Sequence, residues 1–389
     1  MTKALESRVS RFQIASLVVG LIGLALTLFG AFSNRSQFFF SYLFSCLFWL
    51  GLSLGCFLVA MVHALTGGRW GYPTRRFLEA GYLVLPLMLL LFAPIFFGLP
   101  ELYPWARPAE VVAEKVLQHR QAYQNVSGYV VRTLLFLGTW ICLTQYLRRR
   151  SLQQDTVQDA APTRKARALS GPGIVLYALF ATFAYVDWII SLEKQWYSTM
   201  FAVIIIIGQI LTAYAFSVIL LATFKNYEPL AGVVNTTHYH QLGNLLLAFV
   251  LFWTYVSFGQ LLIIYSGDIP HELDWFLHRI AGNWKWVVGI LALFHFFVPF
   301  YLLLFRSLKT RVRALTVLAA LLFFMHIVDA YWLVMPTLHP NGVVVSWLDF
   351  SALVGIGGLW LSFFGSRLKA APLLPQQDPG LQFAFKYAH

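Results

Sequence analysis

Long runs of apolar residues, separated by short polar segments, form the main pattern along this chain. A helix of about 20 apolar residues crosses a bilayer core and satisfies all of its own backbone hydrogen bonds. Each run therefore predicts a membrane-spanning helix, and we predict an all-α integral membrane protein with ten transmembrane helices. The ten runs are Phe12–Ala31, Phe38–Leu65, Phe77–Leu99, Tyr129–Leu147, Ile174–Ile190, Tyr197–Phe224, Leu242–Tyr265, Trp284–Phe305, Val312–Val334 and Val344–Phe364.

The composition agrees with this pattern. Of the 389 residues, 59% are hydrophobic and 11% are charged, and the mean hydropathy is +0.68. Soluble domains carry about 25% charged residues, so this chain has too few charges for a soluble enzyme or a disordered scaffold. The first run follows Arg8 and Arg11 and is long enough to span, so we expect a retained helix and no cleaved signal peptide.

The basic residues are distributed unevenly between the two sides that ten spans define. Twenty of the 28 Lys and Arg residues lie on the side of the termini, from Lys3 to Lys386, seven lie on the other side, and Arg132 falls within a span. Lys and Arg concentrate in cytoplasmic loops, which predicts cytoplasmic termini and a multi-pass protein of the bacterial inner membrane. The net charge of +12 then reflects orientation, and no nucleic-acid partner is expected.

Two connections are longer than the others. We predict that Pro100–Ser127 is external and that Arg148–Gly171 is an internal, basic and polar loop. The segment after Leu368, which contains LLPQQDPG, is expected along the cytoplasmic surface. Aromatic side chains favour the membrane–water interface. The tryptophans expected there are Trp105, Trp196, Trp275 and Trp284.

Ionisable residues inside the spans are the candidates for function, because each one costs about 2.5–3.5 kcal/mol to insert. By depth they form two layers around His295, which lies about midway along the eighth span. The layer near the outer face contains Arg132, Asp187, His326, Asp329 and Asp349. The layer near the inner face contains His63, Glu79, His238 and His240. His326 and Asp329 are three residues apart and share one helix face.

Two interpretations of these layers stay open. In the functional one, two half-channels carry protons from the two faces and meet near His295, since histidines and buried carboxyls exchange protons near neutral pH. In the structural one, Arg132 neutralises Asp187 or Asp349, and His63 and Glu79 mark the interface. Polar residues that would line a hydrated interior, or else join helices, are Tyr177, Tyr185, Gln209, Tyr214, Asn244, Tyr255 and Gln260. The GxxxG spacing of Gly51 and Gly55 predicts close helix packing.

The chain lacks the motifs that hold redox cofactors. Cys46, Cys56 and Cys142 lie in apolar runs without CxxC or CxxCH spacing, which excludes cysteine-held clusters and covalent haem. His326 and His339 have a spacing found in haem-binding bundles, but His339 lies in a loop. No P-loop, dinucleotide fingerprint, zinc site or nucleophile–base constellation is present, so the sequence assigns no enzymatic reaction to the chain itself.

Three stretches carry a resemblance to a known family. They are SYLFSCLFWLGLSLGCFLVAMVHALTGGRWGYPTRRFLE (Ser41–Glu79), YVDWIISLEKQWYSTMFAV from Tyr185, and HYHQLGNLLLAFVLFWTYVSFGQLLIIYSGDIPHELDWFLHR (His238–Arg279). These stretches resemble the NrfD/PsrC-like membrane subunits. Within that family the chain is most similar to the ActF subunits of alternative complex III, a quinol:electron-acceptor oxidoreductase that uses cytochrome c or a similar acceptor.

The resemblance implies an architecture and partners. It implies two four-helix bundles between flanking helices: residues 1–37 with the first helix, 38–192 with helices two to five, 193–335 with helices six to nine, and 336–389 with helix ten and the tail. It implies a respiratory or photosynthetic complex with an ActC-like membrane paralogue, an iron–sulfur subunit and haem c subunits. Haem and clusters then lie in these partners, while quinone or quinol binding to this chain stays open. Proton translocation would be its contribution.

Two other functions are compatible with the sequence, namely a purely structural membrane anchor of the complex and a stand-alone secondary transporter. Helices broken by Gly or Pro at matched positions, which are typical of transporters, are not apparent in the sequence. We further predict that the segments Leu99–Ser127 and Gly267–Asn283 contact external, haem-bearing subunits.

Overall fold

The computed structural model describes residues 3–194, 196–267, 269–375, 377–378 and 381. These residues are mainly helical and contain no strand, and ten helices are long and apolar enough to cross a membrane. The predicted all-α, ten-helix fold is therefore confirmed. The helices, α1 to α10 in chain order, are Lys3–Gly30, Arg35–Thr66, Gly71–Phe97, Val126–Gln154, Ala161–Leu192, Phe201–Phe224, Thr236–Gly267, Trp284–Leu304, Val312–Thr337 and Trp347–Lys369.

Shorter helices lie in the connections. They are Leu99–Leu102, Pro108–Ala113, Lys115–Arg120, Pro270–Ile280 and Arg306–Thr310. Lys386 and the tail residues Gln376, Pro379 and Gly380, which entered the predictions above, lie outside the described residues.

The fifth helix is much longer than its apolar run. It covers Ala161–Leu192, whereas hydropathy alone delimits Ile174–Ile190. Likewise α4 continues to Gln154, so most of the predicted polar loop Arg148–Gly171 is helical. The prediction was wrong because hydropathy detects only the membrane-embedded part of a helix. Arg and Lys are good helix formers, so the helix can continue outside the bilayer.

The connections between helices lie at two opposite faces of the helix array. On the face where α1 begins and α10 ends, here called the terminal face, Lys369 Nζ donates to Ser10 Oγ at 3.0 Å. On the opposite face, Arg120 Nη1 donates to the carbonyl of Lys194 at 3.1 Å. The chain therefore crosses the array ten times, with successive helices antiparallel.

Helix α2 is the centre of the array and is buried along nearly its whole length. It packs against α3, α5, α6, α9 and α10. The contact with α6 depends on Gly51 and Gly55, since a Cβ at Gly55 would lie 2.2 Å from the carbonyl oxygen of Gln209. The predicted close packing at this GxxxG spacing is confirmed. The division into two bundles stays a prediction, because α2 contacts helices of both.

Helix α1 lies at the periphery and packs chiefly on α10. Glycines make this contact close: a Cβ at Gly20 would lie 2.6 Å from the backbone nitrogen of Leu359, and a Cβ at Gly23 would lie 2.7 Å from Gly355. Small residues allow two helix backbones to approach in this way. Thr27 Oγ1 also donates to Ser351 Oγ at 3.0 Å.

Helices α3 and α8 are irregular, although the sequence showed no obvious matched breaks. In α3, a turn at Leu83 and Val84 lies just before Pro86, and Pro94 lies within a 3₁₀ segment at Ala93–Phe97. In α8, residues Ala292–Phe297 form a π-helix just before Pro299. Proline lacks the N–H that would bond to the carbonyl four residues earlier, which is that of His295.

Candidate functional site

The predicted site residues fall into three groups in the structure. His295, His326 and Asp329 lie together at mid-depth and are called the central cluster. Arg132, Asp187 and Asp349 lie toward the opposite face, in two separate places. His63, Glu79, His238 and His240 lie toward the terminal face.

The central cluster is formed by α8 and α9. His326 Nδ1 lies 3.6 Å from Asp329 Oδ2, as expected for residues three apart on one helix. The ring of His295 lies 6.3 Å from that of His326, measured between centroids. All three side chains are buried. Among the described residues, no lysine or arginine pairs with Asp329, so this carboxyl has only histidine as an ionisable neighbour.

His295 owes its position to the π-helix of α8. A π-helix widens one turn and rotates the following side chains, and such turns are frequent at functional sites. The imidazole is fully buried and packs against Trp253 of α7, with ring centroids 4.3 Å apart and the ring planes tilted by 45°. Neither ring nitrogen has a hydrogen-bond partner among the described residues. His295 is therefore a fully buried imidazole whose ring nitrogens the described residues leave unsatisfied.

Two cavities adjoin the central cluster on different sides. A cavity of about 30 Å³ lies between His326, Tyr185 and Gln209. It exceeds the roughly 10–15 Å³ that one water molecule requires. A much larger cavity of about 710 Å³ reaches Asp329 from the side of α7 and α8. The His326–Asp329 pair therefore lies between two cavities of very different size, and apart from Tyr185, Gln209 and His326 the walls of the small one are aliphatic and aromatic.

The small cavity continues into a row of polar side chains. Tyr177 donates to Gln209 Oε1 at 2.9 Å, and Gln209 Nε2 is bonded to the hydroxyl of Tyr185. All three side chains are buried between α5 and α6. The sequence named these residues only as candidates for a hydrated interior. The structure joins them to His326 across one water-sized space.

Arg132 forms a bidentate ion pair with Asp187. The Nε–Oδ2 and Nη2–Oδ1 distances are 2.7 and 3.0 Å. The ring of Tyr123 lies 3.7 Å from the guanidinium carbon, and burial raises the pKa of this phenol to about 12. Of the two structural partners open to Arg132, the structure selects Asp187. Such a closed pair holds α4 against α5.

Asp349 is held by neutral donors. It completes a capping box with Ser346 at the start of α10, and it accepts hydrogen bonds from Ser41 Oγ at 2.5 Å and Gln37 Nε2 at 3.0 Å. Gln37 Oε1 in turn lies 2.8 Å from His339 Nε2. Burial lowers the pKa of His339, which favours the neutral imidazole. This network lies at the start of α10, toward the opposite face.

Glu79 lies at the centre of an ion network near the terminal face. It accepts from Arg76 and Arg148 at 2.6 Å each and from Arg75 at 3.2 Å, and Ser151 also donates to it. A cavity of about 70 Å³ separates it from His63. The interpretation of Glu79 as an isolated interface marker is therefore incomplete, since it joins α3 to α4.

The terminal-face histidines are bonded to the backbone. His63 Nε2 lies 3.1 Å from the carbonyl oxygen of Gly68, and its ring packs edge-on against Trp70 and Tyr72. His238 Nδ1 accepts from the backbone N–H of Asn235 at 3.2 Å. His240, two residues further along α7, is half-buried. These two α7 histidines lie at the helix end, away from the central cluster.

Several residues of these networks were not predicted. Arg76 and Arg148 were counted only as orientation charges, although the three-residue spacing from Arg76 to Glu79 was a usable signal. Arg279 was assigned to an external loop, yet it is fully buried and donates to the carbonyl of Leu333 at 2.9 Å. Burial lowers the pKa of Arg279 to about 10. No sequence pattern reveals this burial.

The tryptophans predicted for the membrane interface are instead packed inside the protein. Trp196 and Trp275 stack with ring centroids 4.3 Å apart, and Trp284 donates to the carbonyl of His339 at 2.8 Å. Trp105 stacks on Tyr103. The prediction was wrong because these rings pack against other parts of the chain, as Trp105 does on Tyr129 of α4 and Trp284 on Tyr331 of α9, and hydropathy does not reveal such contacts.

The described residues do not bring together three His, Cys, Asp or Glu side chains as a metal site would require. Cys46 and Cys56 are buried apart from any disulfide, and Cys142 is exposed. Among the described residues, the central cluster and the large cavity beside it bring several unpartnered polar groups close together: His295, His326, Trp253, Ser257 and Gln260.

Comparison with known proteins leaves the family unassigned. No protein-family model matches this chain, and a search of curated proteins finds no significant relative.

Proposed function

We propose that this chain is a membrane subunit of a quinol:electron-acceptor oxidoreductase of the alternative complex III type, and that it conducts protons. The central cluster is the observation that carries the proposal. Three titratable side chains, His295, His326 and Asp329, are buried at mid-depth without a basic counter-ion among the described residues. Ionisable groups at this depth are expensive and are typical of proton or ion pathways.

The proposed path runs from the terminal face to the central cluster. Protons enter at the cavity between His63 and Glu79 and reach the hydrogen-bonded row that begins at Tyr177. Phe57 lies between these two parts, with its ring 6.1 Å from that of Tyr177. Water or side-chain motion must complete the path at this point.

From the central cluster the proton moves toward the opposite face. His326 takes it from water in the small cavity, and Asp329 releases it, because imidazole and a buried carboxyl exchange protons near neutral pH. The network of Asp349 and His339 is the proposed exit. The closed pair of Arg132 and Asp187 has a structural role in this scheme.

The proposed orientation rests on the distribution of basic residues, and the proposed partners rest on the family resemblance. The excess of Lys and Arg on the terminal face favours a cytoplasmic location for it, in a bacterial inner membrane. The segments Leu99–Ser127 and Gly267–Asn283 then face the haem c subunits, while an ActC-like paralogue and an iron–sulfur subunit supply the electron path. This chain holds no redox centre in the proposal. If these segments crosslink only to cytoplasmic partners, the proposed orientation is wrong.

The decisive experiment replaces Asp329 by Asn in the intact complex. Proteoliposomes oxidising quinol should retain the electron-transfer rate, while the number of protons moved per electron falls. Glu6→Gln is the control, since this carboxylate is exposed near the start of α1, away from the central cluster. An unchanged proton-to-electron ratio in Asp329→Asn and in His326→Gln would remove the central cluster from any proton path.

The same preparation tests the other two functions. A structural anchor predicts that all variants that assemble keep the wild-type ratio. A stand-alone transporter predicts that the chain purifies in mild detergent without redox subunits and shows substrate flux. The breaks in α3 and α8 do not fall at corresponding positions of the two predicted bundles, which disfavours a transporter built from matched broken helices.

A further inference from the structure

The large cavity beside the central cluster is a separate feature of the fold. Its volume is about 710 Å³, and it lies between α6, α7, α8, α9 and the short helix Pro270–Ile280. Its walls are mainly aromatic and aliphatic. Phe258 and Leu261 at its edge are exposed on the outer surface of the helix array. Cavities of about 300–1,000 Å³ with such walls are typical of ligand sites.

One face of α7 presents unpartnered polar groups to this cavity. Trp253, Ser257 and Gln260 follow helical spacing and all line it. Gln260 is 7% exposed, and neither its amide oxygen nor its amide nitrogen has a partner among the described residues. The Ser257 hydroxyl and the Trp253 indole N–H are likewise unpartnered there. A buried polar group without a partner is destabilising, so these groups point to a bound molecule.

We infer that this cavity binds a membrane-dissolved molecule that has an apolar body and an uncharged head bearing hydroxyl or carbonyl groups. Gln260 both donates and accepts, which matches such a head. The carboxyl of Asp329 in the wall repels an anionic head. The apolar walls solvate the body, and the edge between α7 and α8 admits it from the lipid side. The inference does not depend on membership of any redox complex.

The site adjoins the titratable groups without including all of them. Asp329 lines the cavity, whereas His326 lines the small cavity on its other side. A hydroxyl of the bound molecule can therefore exchange a hydrogen bond with Asp329. Binding of the molecule in the cavity would therefore change the proton affinity of Asp329, and protonation of Asp329 would change the affinity for the molecule. The head can belong to a ring or to a chain, and the competitors below distinguish the two.

The test uses the full chain in lipid nanodiscs and a long-chain alcohol that carries a photoreactive diazirine. Label should concentrate in peptides from α7 and α8, as mapped by mass spectrometry. Decanol or naphthol should compete about tenfold better than decane or naphthalene, the effect of one satisfied polar group. Stronger competition by decanol would indicate a head on a chain, and stronger competition by naphthol would indicate a head on a ring. Equal competition by decane would reduce the site to a hydrocarbon groove.

Variants locate the effect. Gln260→Leu should weaken competition by decanol about tenfold. Thr254→Val is the matched control: Thr254 lines the same cavity, but its hydroxyl already donates to the carbonyl of Val250 at 2.9 Å, so competition should not change. Ala292→Trp, which fills the cavity, should abolish labelling there.

Stability of the unliganded chain provides an independent readout. Gln260→Leu should leave thermal stability unchanged or raise it, because the amide that it removes has no protein partner. A marked loss of stability would show that the amide is structural and would overturn the inference. So would stronger competition by decylamine than by decanol, since that would make the head cationic. None of these measurements involves proton transport.

Discussion

Replacing Glu79 by Gln tests how the ion network of the terminal face stabilises the fold. The substitution preserves shape and removes one negative charge. That charge contacts three guanidinium groups, with N–O distances of 2.6 Å to Arg76, 2.6 Å to Arg148 and 3.2 Å to Arg75. The side chains of Glu79 and Arg76 are only 3% and 2% exposed, so water cannot replace the lost partner.

The expected loss follows from the charge balance of this network. Asp155 pairs with Arg76, and Asp378 pairs with Arg75 at 2.5 Å, so three acidic groups balance three arginines. Without Glu79 the network retains one uncompensated, buried positive charge. Removing one partner of a buried ion pair costs about 3–5 kcal/mol. We expect this loss in the free energy of unfolding, measured by titration with dodecyl sulfate in mixed micelles.

Glu110→Gln provides the matched control. Glu110 also contacts two cations, at 2.6 Å to Arg107 and 2.9 Å to Lys194, but these side chains are 26–43% exposed. Pairing with Lys194 lowers the pKa of Glu110. Exposed pairs contribute about 0–1 kcal/mol, so the control should lose no more. If Glu79→Gln loses as little as Glu110→Gln, burial does not govern this network and the reasoning fails.

Three further predictions concern packing, pH and capping. Gly55→Ala should destabilise the fold by about 1–3 kcal/mol, because the new methyl group overlaps the Gln209 carbonyl. In Gly138→Ala in α4 the methyl group meets no atom within 4 Å, so this control should be neutral or stabilising. Dodecyl sulfate titration compares the free energies of unfolding of the two variants. Burial lowers the pKa of His339, so its contribution to stability is lost as the pH falls below about 6.5. His339→Gln should flatten the decline of thermal stability between neutral and acidic pH, and an unchanged profile would contradict this. Asp349→Ala should cost about 0.5–2 kcal/mol through the lost cap of α10, with Ser366→Ala at the other end of that helix as the neutral reference.

The helices could be predicted because a bilayer imposes one requirement on every spanning segment. Apolar runs located all ten helices, since lipid leaves the backbone no other partners. Their ends were less accurate: Arg148–Arg150 and Arg164–Arg167 are polar yet helical, and hydropathy does not distinguish a solvated helix from a loop. The buried Trp196–Trp275 stack was missed because coverage by a connecting helix is a tertiary property.

The candidate site could be predicted only in part. Inserted charge singled out His326 and Asp329, and helical spacing placed them on one face. Their proximity to His295 depends on the π-helix before Pro299, which shifts the register of α8. The pairing of Arg132 with Asp187 was one of two open alternatives, since depth alone does not fix which helices are neighbours.

The pairing of α1 with α10 determines when these two helices can pack during membrane insertion. Of the ten helices described above, α1 emerges from the ribosome before the others, and its main partner α10 emerges after them. During synthesis the glycine surface of α1 must stay in the bilayer beside lipid, or beside another protein, until about 330 further residues have been inserted. This contact joins the first and the last of the ten helices, so its loop-closure entropy is greater than for contacts between helices nearer in sequence. A nascent chain arrested before α10 would therefore present α1 as its free surface to insertion factors or partner subunits.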